Sequence, residues 1–289
     1  MKKLLTAIVA AATIISAPGC SSVCYPVESQ QQCVQSDPLE DIFKSIVCVR
    51  SKGKYQDENG DTFTTAQFGS GLAYKQEAGW SYVTTNHHVV NLPDEISRVD
   101  FFSAMPAKVW KKIEQEIAIV DSKYDSNSAD DILLELIRED QSLDTVVLRA
   151  ETPLYVSRAY EVSSLQEHLA DDVYVLGVPL AFERGVTKGI VFNPQVELDG
   201  HYYTMLDITV QPGHSGSPVF VKEDDGRIYL VGQIRICMPH AMGICGGFGL
   251  ATEMSELEDV WRINQKEPAH SPFYRVPEEE GSSPRRDTK

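Results

Sequence analysis

The chain has 289 residues, enough for one large or two modest domains with a sizeable buried core. Its 42% hydrophobic and 24% charged residues are ordinary for a globular protein, and 26 basic against 42 acidic side chains leave a net charge of −16. That balance argues against nucleic acid as a partner and otherwise says little, since an acidic surface chiefly confers solubility.

Residues 1–19 read as an export signal. Lys2 and Lys3 precede the apolar run Leu4–Ala17, which is too short to span a bilayer as a mature helix. The run closes on Ala17-Pro18-Gly19-Cys20, and small residues before a cysteine resemble a bacterial lipobox. The expectation is an acylated Cys20, hence a membrane tie through a lipid anchor and a place in the bacterial cell envelope, facing the periplasm or the cell exterior. Plain secretion is the alternative. Residues 20–40, polar and rich in Ser and Gln, read as a tether.

With Cys20 set aside, an odd number of cysteines remains, so at least one is free or paired between chains. Short spacings point to Cys24–Cys33 and Cys237–Cys245 as disulfides in an oxidising compartment. Cys48, inside the strand-like run Ile46–Arg50, reads as a small buried hydrophobe. Among these spacings none reads as a zinc site, so no metal is expected.

From Asp41 onward, short apolar or alternating runs recur between Gly, Pro, Asn and Asp. They are Ile46–Arg50, Ser70–Tyr74, Trp80–Val90, Val99–Phe102, Glu116–Asp121, Thr145–Arg149, Val173–Val178, Val186–Phe192, Tyr202–Val210, Ser217–Lys222, Arg227–Cys237 and Phe248–Thr252. Such spacing predicts an all-β sandwich or barrel architecture. Two helices are expected to interrupt it. Ile132, Leu133, Leu136 and Ile137 give Asp131–Arg138 helical spacing behind an acidic start. Leu257, Val260 and Trp261 give a closing amphipathic helix over Met254–Asn264. Residues 265–289, dominated by Pro, Glu, Ser and Arg, read as a disordered tail.

Three stretches carry chemistry. Pro212-Gly213-His214-Ser215-Gly216-Ser217-Pro218 forces a stiff turn that would hold a serine hydroxyl clear of the backbone. Thr85-Asn86-His87-His88-Val89-Val90 sets two histidines in an apolar run, and Asp144 opens the strand Thr145–Arg149. Serine needs a base to become a nucleophile, and histidine oriented by a carboxylate is the usual one. Each piece alone has a bland reading as a turn, a core histidine or a cap.

The set and its order resemble the chymotrypsin-fold (trypsin-like) serine proteases, nearest to their bacterial Deg-type and glutamyl-endopeptidase branches. TNHHVV resembles the T-N-x-H-V-V histidine motif with His88 in the catalytic place. Asp144-Thr145-Val146-Val147-Leu148 resembles D-x-A-V-L, and PGHSGSP resembles P-G-N-S-G-x-P with His214 in place of Asn. Gly69-Ser70-Gly71, Gly177-Val178-Pro179, the run Val186–Val191 and Gly247–Ala251 also match, so the likeness covers about Ile42 to Arg262.

The resemblance implies two six-stranded antiparallel β-barrels with a C-terminal helix. The first barrel would occupy residues 41–150 and the second, with the closing helix, 151–264. It implies a serine endopeptidase acting on protein or peptide substrates without a cofactor. Ser215 would be the nucleophile, His88 the base and Asp144 its orienting acid, with the N–H groups of Gly213 and Ser215 as oxyanion hole. With histidine as base, activity should rise between acidic and neutral pH.

Thr209 stands where trypsin carries its pocket aspartate, so trypsin-like preference is not expected. Ile234, Arg235 and Ile236 would wall the primary pocket, and a small or apolar side chain is the expected occupant. Residues 107–142 form a long segment between His88 and Asp144, read as a surface insertion. The competing function classes are a non-catalytic binding protein on a protease fold and a chaperone-like envelope lipoprotein.

Overall fold

The computed structural model describes residues 22–24, 33–35, 37–98, 108–121, 130–165, 168–181, 183–198, 200–239 and 245–262. The export signal, Cys20, the tail and the strand expected at Val99–Phe102 lie outside these residues, and the backbone divides into units 1–37 and 38–289. In the first unit, β1 (Ser22–Cys24) and β2 (Cys33–Gln35) pair antiparallel, with Cys24 opposite Cys33 in the backbone register.

The second unit opens with α1 (Pro38–Phe43), which occupies the last residues of the expected tether and buries Ile42. Then come β3 (Ile46–Gln56), β4 (Thr62–Glu77), β5 (Trp80–Thr85), a single helical turn α2 (His87–Val90), β6 (Glu95–Arg98) and β7 (Lys108–Val120). They are followed by β8 (Ile132–Leu133), β9 (Glu135–Asp140) and β10 (Thr145–Ala150). The sheet runs β7-β3-β4-β5-β10-β9, and β8, separated from β9 by Leu134 alone, pairs back onto β7. Leu134 N–H donates to the Ile117 carbonyl at 2.9 Å along that seam. The ring therefore closes with six strand positions, and β6 hangs on the outer edge of β7.

The second barrel closes the same way. Its strands are β11 (Glu161–Val162), β12 (Asp172–Gly177), β13 (Gly185–Leu198), β14 (His201–Asp207), β15 (Pro218–Lys222), β16 (Ile228–Pro239) and β17 (Cys245–Glu253). The order β16-β15-β12-β13-β14-β17 is completed by direct pairing of β16 with β17, while β11 adds in parallel to β16. Closure removes the exposed edges that an open sheet would present.

Each barrel has its own apolar filling. Val49, Val83, Val146 and Leu148 fill the first, and Val175, Leu206, Val219 and Ile234 the second. A third cluster joins Ile46, Leu72, Val147, Leu176 and Phe220 to α3 (Met254–Trp261). This helix docks on the first barrel: the Tyr74 hydroxyl donates to the Trp261 carbonyl at 2.8 Å, and Arg138 donates to the Asp259 carbonyl at 2.6 Å. It is shorter than expected, ending at Trp261. Thr145–Leu148 of β10 are buried throughout because the strand has the barrel core on one side and the third cluster on the other.

Three sequence expectations need correction. The stretch 107–142 is not a surface insertion, since its described residues supply β7, β8 and β9, which close the first barrel. The segment Asp131–Arg138 is not a helix but the strands β8 and β9. Its apolar residues serve a period of two near Leu134, which is buried at 2% exposure while Leu133 is 52% exposed. The acidic start does not cap a helix either, since the Asp131 carboxylate meets the buried Arg50 guanidinium at 2.6 Å. Closure of the barrel thus overrides a short helical pattern. The run Trp80–Val90 likewise is not one strand: β5 ends at Thr85, and Asn86 leads into α2.

Candidate active site

The β5/β10 ladder creates the first half of the site. Val146 pairs with Thr85, so the residues just beyond each strand end, Asn86 to His88 and Asp144, meet across the barrel rim. Asn86 donates its side-chain N–H to the Asp144 carbonyl at 2.8 Å, and His87 N–H donates to the same oxygen at 3.1 Å. Asp144 itself has φ 54°, a left-handed conformation that aspartate tolerates better than most residues. That twist aims its carboxylate at His88. Oδ1 accepts the His88 backbone N–H at 2.8 Å, and Oδ2 faces His88 Nδ1 at 2.6 Å. A carboxylate only accepts, so Nδ1 carries the proton and Nε2 is left as a free base. Asp144 is buried at 7% exposure, whereas His88 is exposed. His87 turns away to Glu139, with its Nε2 at 3.2 Å from the carboxylate.

The serine loop supplies the second half. Its backbone is pinned to the first barrel by Ser70, at the centre of Gly69-Ser70-Gly71. Ser70 N–H donates to the Ser215 carbonyl at 2.8 Å, and its hydroxyl donates to the Gly213 carbonyl at 2.6 Å while accepting from Val178 N–H at 2.8 Å. Gly69 marks where the two halves converge. A Cβ placed there would strike both the Val89 side chain, next to His88, and the Ser215 carbonyl at 2.9 Å. Gly213 has φ 97°, and a Cβ on it would meet the Val178 carbonyl at 2.6 Å and Leu180 N at 2.8 Å. Only glycine fits.

Within the loop, His214 N–H donates to Gln211, Gly216 N–H to Ile234 and Ser217 N–H to His214. Among the described residues, no protein acceptor takes the N–H of Gly213 or of Ser215. Ser215 is half-buried; Ser217 is fully buried, its hydroxyl without a partner among the described residues.

His214 has a structural place. It is 2% exposed, with Nδ1 3.1 Å from the Gln211 backbone nitrogen and 3.2 Å from the Gln211 carbonyl oxygen, and Nε2 3.5 Å from Thr187 Oγ1. Burial pushes its basicity below that of an ordinary histidine, against a smaller opposite pull from the Gln211 backbone. It is a neutral brace for the loop.

A buried glutamine locks the barrels under the site. Gln233 Nε2 donates to Thr84 Oγ1 at 3.2 Å and to the Gly216 carbonyl at 3.4 Å, while its Oε1 accepts from Thr145 Oγ1 at 3.1 Å. Thr84 and Thr145 belong to the first barrel and Gly216 to the second.

A histidine held by a buried carboxylate, a stiff serine loop and two unspent N–H groups, carried by two closed barrels, make the comparison with known proteins specific. The family model for the trypsin-like peptidase domain matches residues 69–232, more than half of the chain. The chain belongs to this family.

The trypsin-like peptidase chain is 24% identical over 233 residues to the serine protease Do-like HtrA of Bacillus subtilis, covering 74% of this chain and 45% of the relative. It therefore spans less than half the length of that curated relative. Among solved structures, the HtrA-type protease AlgW carrying a Ser-to-Ala substitution, with tripeptide, superposes with a TM-score of 0.52 at 16% identity. The same protease without the substitution gives 0.51 at 17%. Each comparison covers 78% of this chain and 61% of the other. At these identities the likeness establishes the fold.

Beside the serine loop of this trypsin-like domain the side chains are apolar. A Cβ on Gly249 would meet Val210 at 2.7 Å, Ile208 at 3.4 Å and Ile234 at 3.7 Å. Thr209, lying between two buried residues, is itself exposed. Ile236 is exposed and Arg235 half-buried. Val210 and Ile208 are not singled out by the sequence, and Gly249 only as part of the run Gly247–Ala251, since only the fold brings them to Ile234. Cys237 lies opposite Gly249, and Cys245 opposite Pro239, on neighbouring strands. Cys48 is a free buried cysteine, in keeping with the apolar run that surrounds it in the sequence.

Proposed function

We propose that this domain is a serine endopeptidase using Ser215, His88 and Asp144. The supporting observation is the two-point hold of Asp144 on His88 beside a loop whose Gly213 and Ser215 N–H groups have no protein acceptor among the described residues. His88 Nε2 takes the Ser215 proton as Oγ attacks the substrate carbonyl. The developing oxyanion moves between the two N–H groups, where one such donor typically contributes about 2.7–4 kcal/mol to transition-state stabilisation. The imidazolium, held and stabilised by Asp144, then protonates the leaving amine. Water attacks the acyl-enzyme by the same steps in reverse roles.

In this reading the primary pocket lies beside Gly249, against which the core residues Val210, Ile208 and Ile234 pack. We therefore assign it small or apolar side chains. Arg235 is engaged elsewhere and is not the counter-charge of an acidic substrate residue. The N-terminal pattern of lysines, apolar run and Cys20 supports export and a lipid anchor in the bacterial envelope. The opposition of Cys24 and Cys33 in the hairpin register supports their pairing there as a disulfide.

The test is a cleavage profile of the full-length protein on an unfolded protein and a peptide library, with Ser215→Ala as control. Cleavage after small or apolar residues that vanishes in the variant is expected. Cleavage that survives Ser215→Ala, or none by the wild type, overturns the proposal.

A further inference from the structure

Arg235 lies on β16 of the second barrel, yet its head group is spent on the first. Nε stands 3.8 Å from Asp144 Oδ2, the oxygen that faces His88 Nδ1, and Nη1 donates to the Ser142 carbonyl at 3.3 Å. The guanidinium lies over the buried Tyr203 ring, 4.8 Å from its centre. Three contacts, two from the Ser142–Asp144 turn and one from Tyr203 on β14, fix the charge in a half-buried setting, where screening by salt is weaker than at the surface.

We propose that Arg235 is a positioning and tuning residue of the triad. It clamps the Ser142–Asp144 turn across the cleft and competes with His88 for the Asp144 carboxylate. This rests on the catalytic reading given above for His88, Asp144 and Ser215.

The consequence is a change in pH dependence. A fixed positive charge 3.8 Å from Oδ2 draws on the carboxylate that supports the imidazolium, so the acid limb of the reaction depends on whether that charge is present. The enzyme then stays active further into the acid range than the carboxylate alone would permit. The other charges around the pair are accounted for. His87 is paired with Glu139 from β9. Asp140, also on β9, accepts bonds from Ser142 and Leu143. Burial raises its carboxyl, but those bonds and a smaller pull from His201 outweigh it, so Asp140 stays ionised.

The test compares pH–rate profiles of kcat/KM, with kcat and KM resolved, for the full-length wild type, Arg235→Gln and Arg235→Lys on one neutral and one acidic peptide substrate. Arg235→Gln should move the acid-limb midpoint up by roughly half a pH unit. Arg235→Lys, which keeps the charge but not the planar fork, should hold the wild-type midpoint with a lower kcat. An unmoved midpoint in Arg235→Gln overturns the proposal, and so does a midpoint displaced in Arg235→Lys. A change in Arg235→Gln confined to KM for acidic substrates overturns it in favour of a substrate contact. If Arg235→Gln does not fold, Arg235→Met, which also removes the charge, takes its place and is read the same way. Wild-type labelling at Ser215 by a fluorophosphonate separates the two levels: without it the catalytic reading fails, and with it only the Arg235 assignment is at stake.

Discussion

Asp144 holds His88 at two points, its Oδ1 accepting the backbone N–H at 2.8 Å and its Oδ2 the Nδ1–H at 2.6 Å. One bond fixes where the ring is, and the other fixes which nitrogen is free. Asp144→Asn keeps the shape but offers an amide where an acceptor is needed. It should lower kcat about 10⁴-fold, the scale seen when a triad loses the correct tautomer. A loss under tenfold would contradict the role given to Asp144.

Ser70 ties the serine loop to the first barrel through two hydrogen bonds, to the Ser215 and Gly213 carbonyls, and accepts a third from Val178 N–H. Ser70→Ala strands the Val178 N–H and the Gly213 carbonyl, at about 1–3 kcal/mol for each buried group left unpaired. Because the Gly213 peptide then loses its fixed orientation, kcat should fall about tenfold while KM stays within a factor of two. Steady-state kinetics set beside urea unfolding separates this from a simple loss of folded protein.

Val210 narrows the space beside Gly249. Val210→Ala should admit a larger apolar side chain, raising kcat/KM for leucine over alanine before the scissile bond by about 10-fold. A peptide library read by mass spectrometry checks it.

His214 carries a pH signature in stability. Its folded basicity is depressed below the ordinary value of 6.5 by burial. The unfolded chain therefore binds a proton below pH 6.5 that the folded chain refuses. Its stabilising effect is complete above that value and is lost as pH falls below it, by at most about 1.4 kcal/mol per pH unit. Urea unfolding at pH 7 and pH 5 should show a smaller loss in His214→Asn than in the wild type.

Cys48 is buried at 4% exposure, and burial drives its thiol up to about 12. The folded protein should leave Cys48 unmodified by iodoacetamide at pH 8, and urea should expose it. Peptide mapping of alkylated protein reports the difference.

Much of the fold, and the three stretches that make up the candidate site, are legible in the amino-acid sequence. Alternating runs announce an all-β sandwich or barrel because many of the strands have one dry face and one wet one, and the loop glycines and prolines announce stiff turns. What escapes such reading depends on contacts far apart along the chain. Asp131–Arg138 has a helical spacing, but Leu134 is claimed by Ile117 and Asp131 by Arg50. Arg235 reads as a pocket residue; only the juxtaposition of β16 with the turn before β10 turns it toward Asp144. His214, beside the candidate nucleophile, has no evident purpose in the linear motif, and finds one only where the fold sets Gln211 and Thr187 around its ring.

The most direct test of the central claim is labelling of the folded full-length protein with a fluorophosphonate probe, mapped by mass spectrometry. The account predicts one adduct, on Ser215, abolished by Ser215→Ala, slowed strongly by His88→Ala, and unaffected by Ser217→Ala in molecules that fold. No adduct on Ser215, or equal labelling after His88→Ala, would contradict it.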